Sequence, residues 1–169
     1  MGDGNAYHIA LDGDYAYLTL QGFGISIIDI SDPEGVTDAS LASNECTDPE
    51  AACVGIVGDY ALVGDGADLI AVDVSVPESV DNASILTGIC TVGANATSFD
   101  LSGEWAIVTV SYGGIAVVDV SDASALSDAS LKGMSTAANL GKDIAVRGKY
   151  GFHVSNGDGL EIIDLSPDE

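Results

Sequence analysis

Short apolar runs separated by glycine turns recur four times along the chain. In the first unit the runs predict strands at residues 8–12, 15–20, 24–31 and 38–42. Runs of this length, rich in Val, Ile and Leu and bounded by Gly and Asp, are typical of strands joined by tight turns. Because successive strands are close together in sequence, each unit is predicted to be an antiparallel four-stranded meander.

Two sequence landmarks define the repeat. A glycine followed two residues later by an aromatic residue lies between the first and second strands, where a hairpin turn needs positive φ. An aspartate followed two residues later by serine ends the third strand. The landmarks recur at intervals of about 45 residues, as Gly13, Gly58, Gly103 and Gly148 and as Asp29, Asp73, Asp119 and Asp164.

The second and third strands of each unit are apolar on both faces, which predicts sheets covered on both sides. Radial stacking of such sheets gives a propeller, whereas the coils of a linear solenoid are usually shorter and have fewer strands. The predicted fold class is therefore all-β, a β-propeller of four-stranded antiparallel blades. Residues 1–169 form one repeat domain, with blades at about 5–46, 51–91, 96–135 and 141–166.

The fourth blade is predicted to lack its outer strand. The block that precedes this strand, Asp-Ala-Ser-Leu or Asn-Ala-Ser-Ile, begins at Asp38, Asn82 and Asp128 but has no fourth copy before Glu169. Residues 159–165 would then form an unpaired edge, which favours pairing with another chain. Four blades closing alone, two chains forming an eight-bladed ring, and a donated strand linking copies into a filament all stay open.

The chain resembles the LVIVD-repeat proteins in two successive motifs. In that family a Gly-x-Tyr-Ala strand precedes a hydrophobic strand ending Val-Asp-Val-Ser-Asp-Pro. GDYAYL at 13–18 with IIDISDP at 27–33 matches this pattern, as does GDYALV at 58–63 with AVDVSVP at 71–77. The third and fourth units end VVDVSDA and IIDLSPD, so the proline is lost or shifted. The resemblance covers essentially the whole chain and implies an extracellular or cell-surface propeller without a catalytic signature.

Charge narrows the range of partners. The chain has 27 acidic residues against four Lys and Arg, for a formal net charge of -23. Nucleic acid is excluded as a partner because phosphate binding needs Lys and Arg. Such a surface repels itself unless salt or cations screen it, so either a halophilic protein or an acidic secreted protein fits. No apolar run approaches the length of a membrane helix, and no membrane insertion is expected.

The repeated aspartates are interpreted as structural, accepting hydrogen bonds from turn N–H groups, because a binding site usually breaks a repeat's symmetry. Acidic turns at Asp65, Asp68 and Asp158 are weak calcium candidates that lack the complete calcium-loop pattern. No other cofactor is expected. Cys46 and Cys53 flank a short loop and either form a disulfide or are buried free thiols.

Glycosylation sequons begin at Asn82 and Asn95, the second being the better candidate. His8 and His153 lack metal-site spacing and are expected to be packing residues or satisfied donors. No Gly-x-Ser-x-Gly motif or plausible base accompanies the serines. These features favour a non-enzymatic scaffold that contacts proteins, including itself. A propeller binding a carbohydrate or divalent cation is the alternative, and a hydrolase or lyase on the same fold is the third hypothesis.

Overall fold

A computed structural model describes residues 5–20, 22–46, 50–112, 114–135 and 140–166; for Glu45 and Cys46 it describes the backbone alone. The described chain forms four antiparallel meanders. Their strands, in chain order, are β1 (Ala6–Asp12), β2 (Tyr15–Leu20), β3 (Gly24–Asp29) and β4 (Leu41–Cys46); β5 (Ala51–Val57), β6 (Tyr60–Asp65), β7 (Asp68–Asp73) and β8 (Ile85–Thr91); β9 (Ala96–Ser102), β10 (Trp105–Val110), β11 (Gly114–Asp119) and β12 (Leu131–Ser135); and β13 (Leu140–Arg147), β14 (Tyr150–Asn156) and β15 (Gly159–Asp164).

The four sheets are arranged as propeller blades. Their innermost strands lie side by side, with β1 packed on β5, β5 on β9 and β9 on β13. The first three sheets have four strands and the fourth has three, with β15 at its outer edge. The all-β fold, the four repeats and the incomplete last blade are therefore confirmed.

Glycine turns make the repeat regular. Gly13, Gly58, Gly103 and Gly148 have φ between 53° and 61°, a left-handed conformation that glycine adopts without a steric penalty. Each glycine begins a two-residue turn between the first two strands of its sheet. The residues that flank the turn pair directly, as Asp12 pairs with Tyr15. The landmark thus fixes the register of every inner hairpin.

The predicted start of the outer strand was wrong. Residues 38–40 form a 3₁₀ turn, and the strand begins only at Leu41. The hydroxyl of Thr37 accepts the Ala39 N–H, and the hydroxyl of Ser40 accepts the Thr37 N–H. These side chains thus satisfy the backbone N–H groups of Thr37 and Ala39, which in a strand would hydrogen-bond to the neighbouring strand. Capped turns recur at Asn82–Ser84 and Asp128–Ser130, so the Asp-Ala-Ser block marks a turn before a strand.

Apolar side chains fill the spaces between neighbouring sheets. Tyr17, Ile27, Val54, Val63 and Val72 form much of the core between the first and second sheets. A larger core, which includes Leu62, Cys53, Phe99, Val108 and Val118, joins the second and third. The core between the third and fourth is smaller and centres on Ile107, Ile115 and Ile144. Each inner sheet therefore buries both faces, as the sequence pattern predicts.

Candidate functional site

Each sheet has a leading face, which packs on the preceding sheet, and a trailing face, which packs on the following one. The leading face of the first sheet is exposed. Ile9 and Leu11 on β1 are 56% and 65% exposed. The corresponding residues of the second sheet are Val54 and Ile56, which pack into the core against the first sheet. The same apolar positions are therefore core in one sheet and surface in the other.

The trailing face of the fourth sheet is exposed as well. Leu160 and Ile162 on β15 are 63% and 64% exposed, while the corresponding Ile115 of the third sheet is 4% exposed. Leu160 pairs with Val154, which adds to the same apolar surface. No contact as extensive as that between β9 and β13 joins β13 to β1 in the described part of the chain. The two faces, called the end faces below, are thus left open.

The end faces differ in local charge. Residues 5–46 contain seven acidic and no Lys or Arg residues, whereas residues 140–166 contain four acidic and three basic residues. The basic residues are Lys142, Arg147 and Lys149. The Lys149 ammonium lies 3.0 Å from Asp164 and 5.1 Å from the centre of the Tyr150 ring. The fourth unit therefore has a net charge of -1 and the first a net charge of -7, so a contact between the two brings together less like charge than a contact between two first units.

A groove of about 730 Å³ lies beside the end of β15, where the described residues of the fourth sheet form no outer strand. Its walls are the trailing side of the third sheet and the open edge of β15. Apolar lining residues include Trp105, Ile115, Val117, Met134, Ile163 and Leu165. Lys132 and Lys149 also line it. The groove reaches the end of β15 at Ile163 and Asp164, within the edge that the sequence predicts as a contact site.

Each of the four repeated aspartates lies in its own turn, and the four turns have the same hydrogen-bond pattern. Each carboxylate accepts the backbone N–H of the serine two residues later, at 2.8 to 3.1 Å, namely Ser31, Ser75, Ser121 and Ser166. The serine hydroxyl and this N–H stabilise the charged form and lower the carboxyl pKa. In Asp164 the Lys149 ammonium adds to the effect, and the pKa falls to about 2. These groups are held by their own turns and do not converge on one site.

The structure places the calcium candidates in equivalent turns of different sheets. Asp65 pairs with Asp68 across the β6–β7 hairpin, and Asp158 lies in the β14–β15 turn. No three His, Cys, Asp or Glu side chains within the described ranges are grouped so as to hold a metal ion. The structure does not bring Asp158 to the other two, and calcium binding stays a prediction.

The cysteine and sequon predictions also remain untested. Cys53 is buried, and burial raises the pKa of its thiol to about 12. The Cys46 side chain lies outside the described residues, so its predicted pairing with Cys53 stays a prediction. Asn82 and Asn95 are both exposed. In the second sequon the Thr97 hydroxyl donates to the Gly141 carbonyl at 3.0 Å.

The two histidines differ in their surroundings. His8 accepts the Val54 N–H through Nδ1 at 3.4 Å, between the first and second sheets. His153 is completely buried, and its Nδ1 lies 3.0 Å from the Glu161 carboxylate. Its Nε2 has no hydrogen-bond partner among the described residues. With Nδ1–H donating to Glu161 the expected donor is satisfied, and the acceptor Nε2 is the atom left without a partner among the described residues.

His153 and Glu161 interrupt the repeat. The corresponding residues of the third sheet are Val108 and Ala116, both buried and apolar. Gly141 corresponds to Ala96, and a Cβ there would lie 2.9 Å from His153 Nε2. Alignment of the four units could have identified this polar substitution before the structure, because valine or leucine occupies the His153 position in the other three units.

Replacing Glu161 with alanine is expected to lower the free energy of unfolding by about 1–3 kcal/mol, because the buried imidazole loses its partner. The triple variant Gly141→Ala, His153→Val and Glu161→Ala copies the third sheet. It is expected to be at least as stable as the original chain, since it removes the orphan nitrogen. Urea denaturation measures both, and a triple variant no more stable than Glu161→Ala would contradict the expectation.

Comparison with known proteins decides the family. The model of the LVIVD repeat matches residues 3–37, 50–87, 93–133 and 141–167, which together are most of the chain. The chain belongs to the LVIVD-repeat family. No curated protein matches it. Within the described residues no helix is long and apolar enough to cross a membrane.

Solved structures share the fold at low sequence identity. The computationally designed Ika4 protein is 10% identical, with a TM-score of 0.71 over 98% of this chain and 94% of that one. Sqt1 of Chaetomium thermophilum, bound to the N-terminus of ribosomal protein L10, is 16% identical with a TM-score of 0.71, over 98% and 48%. The propeller domain of Cps50 (Swd1) of Myceliophteria thermophila is 13% identical with a TM-score of 0.62, over 97% and 52%. This LVIVD-repeat chain thus spans nearly all of Ika4 and about half of the two fungal proteins.

Proposed function

We propose that this LVIVD-repeat chain is a non-enzymatic extracellular or cell-surface scaffold that works by protein–protein contact, beginning with contact between its own copies. The observation that carries the proposal is the exposure of both end faces. Side chains of Ile9, Leu11, Leu160 and Ile162 lie on the surface at positions that are apolar in every sheet. Apolar patches of this kind mark interaction sites.

The packing inside the chain suggests how two copies would meet. Every internal contact joins a trailing face to a leading face, as Ile115 of the third sheet does with the fourth. The trailing face of the fourth sheet has the same register and is therefore suited to the leading face of a second copy's first sheet. Two such contacts close a two-fold ring of eight blades, in which each chain forms half.

The non-enzymatic part rests on the site chemistry. In the described part of the chain the repeated aspartates are held by their own serine turns and do not converge on one site. Family membership and the formal charge of -23 support an extracellular or cell-surface location. Sqt1 is a propeller bound to a peptide terminus of another protein, which supports a protein-binding role for this fold.

Light scattering after size exclusion tests the ring. The original chain is expected to have the mass of two chains at micromolar concentration. Leu11→Asp on the leading face and Ile162→Asp on the trailing face should each give single chains, since a carboxylate in an apolar contact costs several kcal/mol. Val76→Asp is the control, because Val76 is 55% exposed and belongs to neither end face.

Mixing the two variants separates a ring from other assemblies. The trailing face of the Leu11→Asp copy and the leading face of the Ile162→Asp copy are both intact, so the mixture should form pairs that neither variant forms alone. A self-paired face would show no such rescue. A single-chain mass of the original protein at all concentrations would refute the proposal, and masses that keep growing would indicate a filament.

A further inference from the structure

The groove beside β15 has filled counterparts between the other sheets. At the first junction the Ser43 hydroxyl of β4 donates a hydrogen bond to the carbonyl of Val80, in the segment between the third and fourth strands of the second sheet. At the second junction, Gly88 of β8 lies under the Leu126 carbonyl of the third sheet, so close that an added Cβ would be 2.4 Å from the oxygen. An outer strand thus receives the connecting segment of the following sheet.

Gly133 of β12 is the corresponding position at the third junction. It lies opposite Val117, as Ser43 lies opposite Ile27 in the first sheet. Among the described residues no atom lies within 4 Å of a Cβ built on Gly133. The third outer strand therefore presents the same receiving position without an occupant in the described residues.

The occupants at the filled junctions share one sequence pattern. Val80 and Leu126 are buried, at 2% and 3% exposure, and each is followed by a capped turn and then by the outer strand. The pattern is an apolar residue, then Ser, Thr or Asp, then Asp or Asn, then Ala-Ser and a second apolar residue. It occurs at residues 36–41, 80–85 and 126–131.

We propose that the groove beside β15 binds an LVIVD-repeat segment of this pattern. The first apolar residue of the segment would enter between Met134 and Leu165, with its carbonyl over Gly133. The residues after Ala-Ser would pair with β15 as a fourth strand. The proposal concerns a different surface from the end faces and does not depend on ring formation.

A peptide of residues 122–135 provides the probe, because it contains the pattern and has no Trp, Tyr or Cys. It is titrated with a fluorescent label into the Leu11→Asp chain, whose substitution lies outside the groove lining and is designed to prevent end-face contact. Anisotropy reports binding. Emission of Trp105, the single tryptophan of the chain and part of the groove lining, reports where the peptide binds. A scrambled peptide of the same composition is the control.

Two substitutions at Gly133 test the geometry. Gly133→Phe fills the receiving position and is expected to weaken binding at least tenfold. Gly133→Ser copies Ser43, which hydrogen-bonds the carbonyl at the first junction, and is expected to bind as tightly as glycine or up to about fivefold more tightly. Since no described residue lies within 4 Å of a Cβ at Gly133, both variants should keep the fold, which circular dichroism checks.

The outcomes decide the proposal. Saturable binding that shifts Trp105 emission and is lost with Gly133→Phe supports it. Equal affinity for the scrambled peptide, no binding of the original peptide, or undiminished binding by Gly133→Phe would overturn it. Ring formation is measured separately in the original chain, so either result is independent of the other.

Discussion

Gly88→Ala is expected to lower the free energy of unfolding by about 1–3 kcal/mol. The added methyl group would meet the Leu126 carbonyl oxygen at 2.4 Å and the carbonyl carbon at 3.3 Å. These are backbone atoms of the segment that packs over β8, so they cannot yield by a side-chain rotation. The segment must shift, and the packing of Leu126 in the core between the second and third sheets is lost with it.

Gly133→Ala is the matched control. It changes the corresponding residue of the next outer strand, where the added methyl group meets nothing within 4 Å. Alanine there should be neutral or slightly stabilising, because it reduces the freedom of the unfolded chain. Urea denaturation of both variants, in the Leu11→Asp chain to remove association, measures the difference. If both variants lost the same stability, the segment around Leu126 that packs over Gly88 would not be the cause of the loss.

The sequence predicts the fold well because the repeat contains most of the information. Glycine before an aromatic residue fixes the inner hairpin, and apolar residues on both faces of a strand require a sheet on each side. Both are local signals, repeated four times, so an error in one unit is corrected by the others. In the first unit, for example, β2 (Tyr15–Leu20) has the bounds that these signals predict.

The errors arise where side chains compete with the backbone. The Asp-Ala-Ser block reads as the start of a strand, but its serine hydroxyl caps a 3₁₀ turn, as Ser40 does for Thr37. Strand pattern carries no information about that competition.

The interaction surfaces could be predicted only in part. The incomplete fourth sheet follows from a missing sequence block. That Leu11 and Ile162 are exposed does not follow, because their positions are apolar in every unit and a closed ring would bury them. Likewise, the orphan nitrogen of His153 depends on the approach of Gly141 from a neighbouring strand, which spacing along the chain does not reveal. The exposure of a side chain and its distance from a neighbouring strand depend on how the strands and sheets pack in three dimensions, which the pattern along one unit does not specify.

Salt is expected to stabilise the folded chain strongly. Raising NaCl from about 0.05 M to about 1 M shortens the screening length to about 3 Å and weakens repulsion among the carboxylates. We expect a gain of about 3 kcal/mol in the free energy of unfolding, or about 6–12 °C in Tm for a chain of this length. Folding brings together 27 acidic residues with only four Lys and Arg, and the repulsion is greater in the compact state than in the unfolded one.

The opposing effect of salt is small. The described lysine ion pairs, Lys132 with Asp119 at 3.6 Å and Lys149 with Asp164 at 3.0 Å, have exposed side chains. Exposed pairs contribute little, so screening them costs little compared with relieving the general repulsion.

A pH comparison separates screening from other effects of concentrated salt. Near pH 4 many carboxylates are protonated, so the gain from NaCl should be clearly smaller than at pH 7. Serine hydrogen bonds lower the pKa of the four repeated aspartates, in Asp164 to about 2, so their charged form and their turns are favoured there over those of ordinary carboxyl groups. Thermal unfolding of the Leu11→Asp chain at both pH values measures the effect without association. A Tm that does not change with salt at pH 7 would mean that the acidic surface is spaced widely enough to need no screening, and it would remove the argument for a saline habitat.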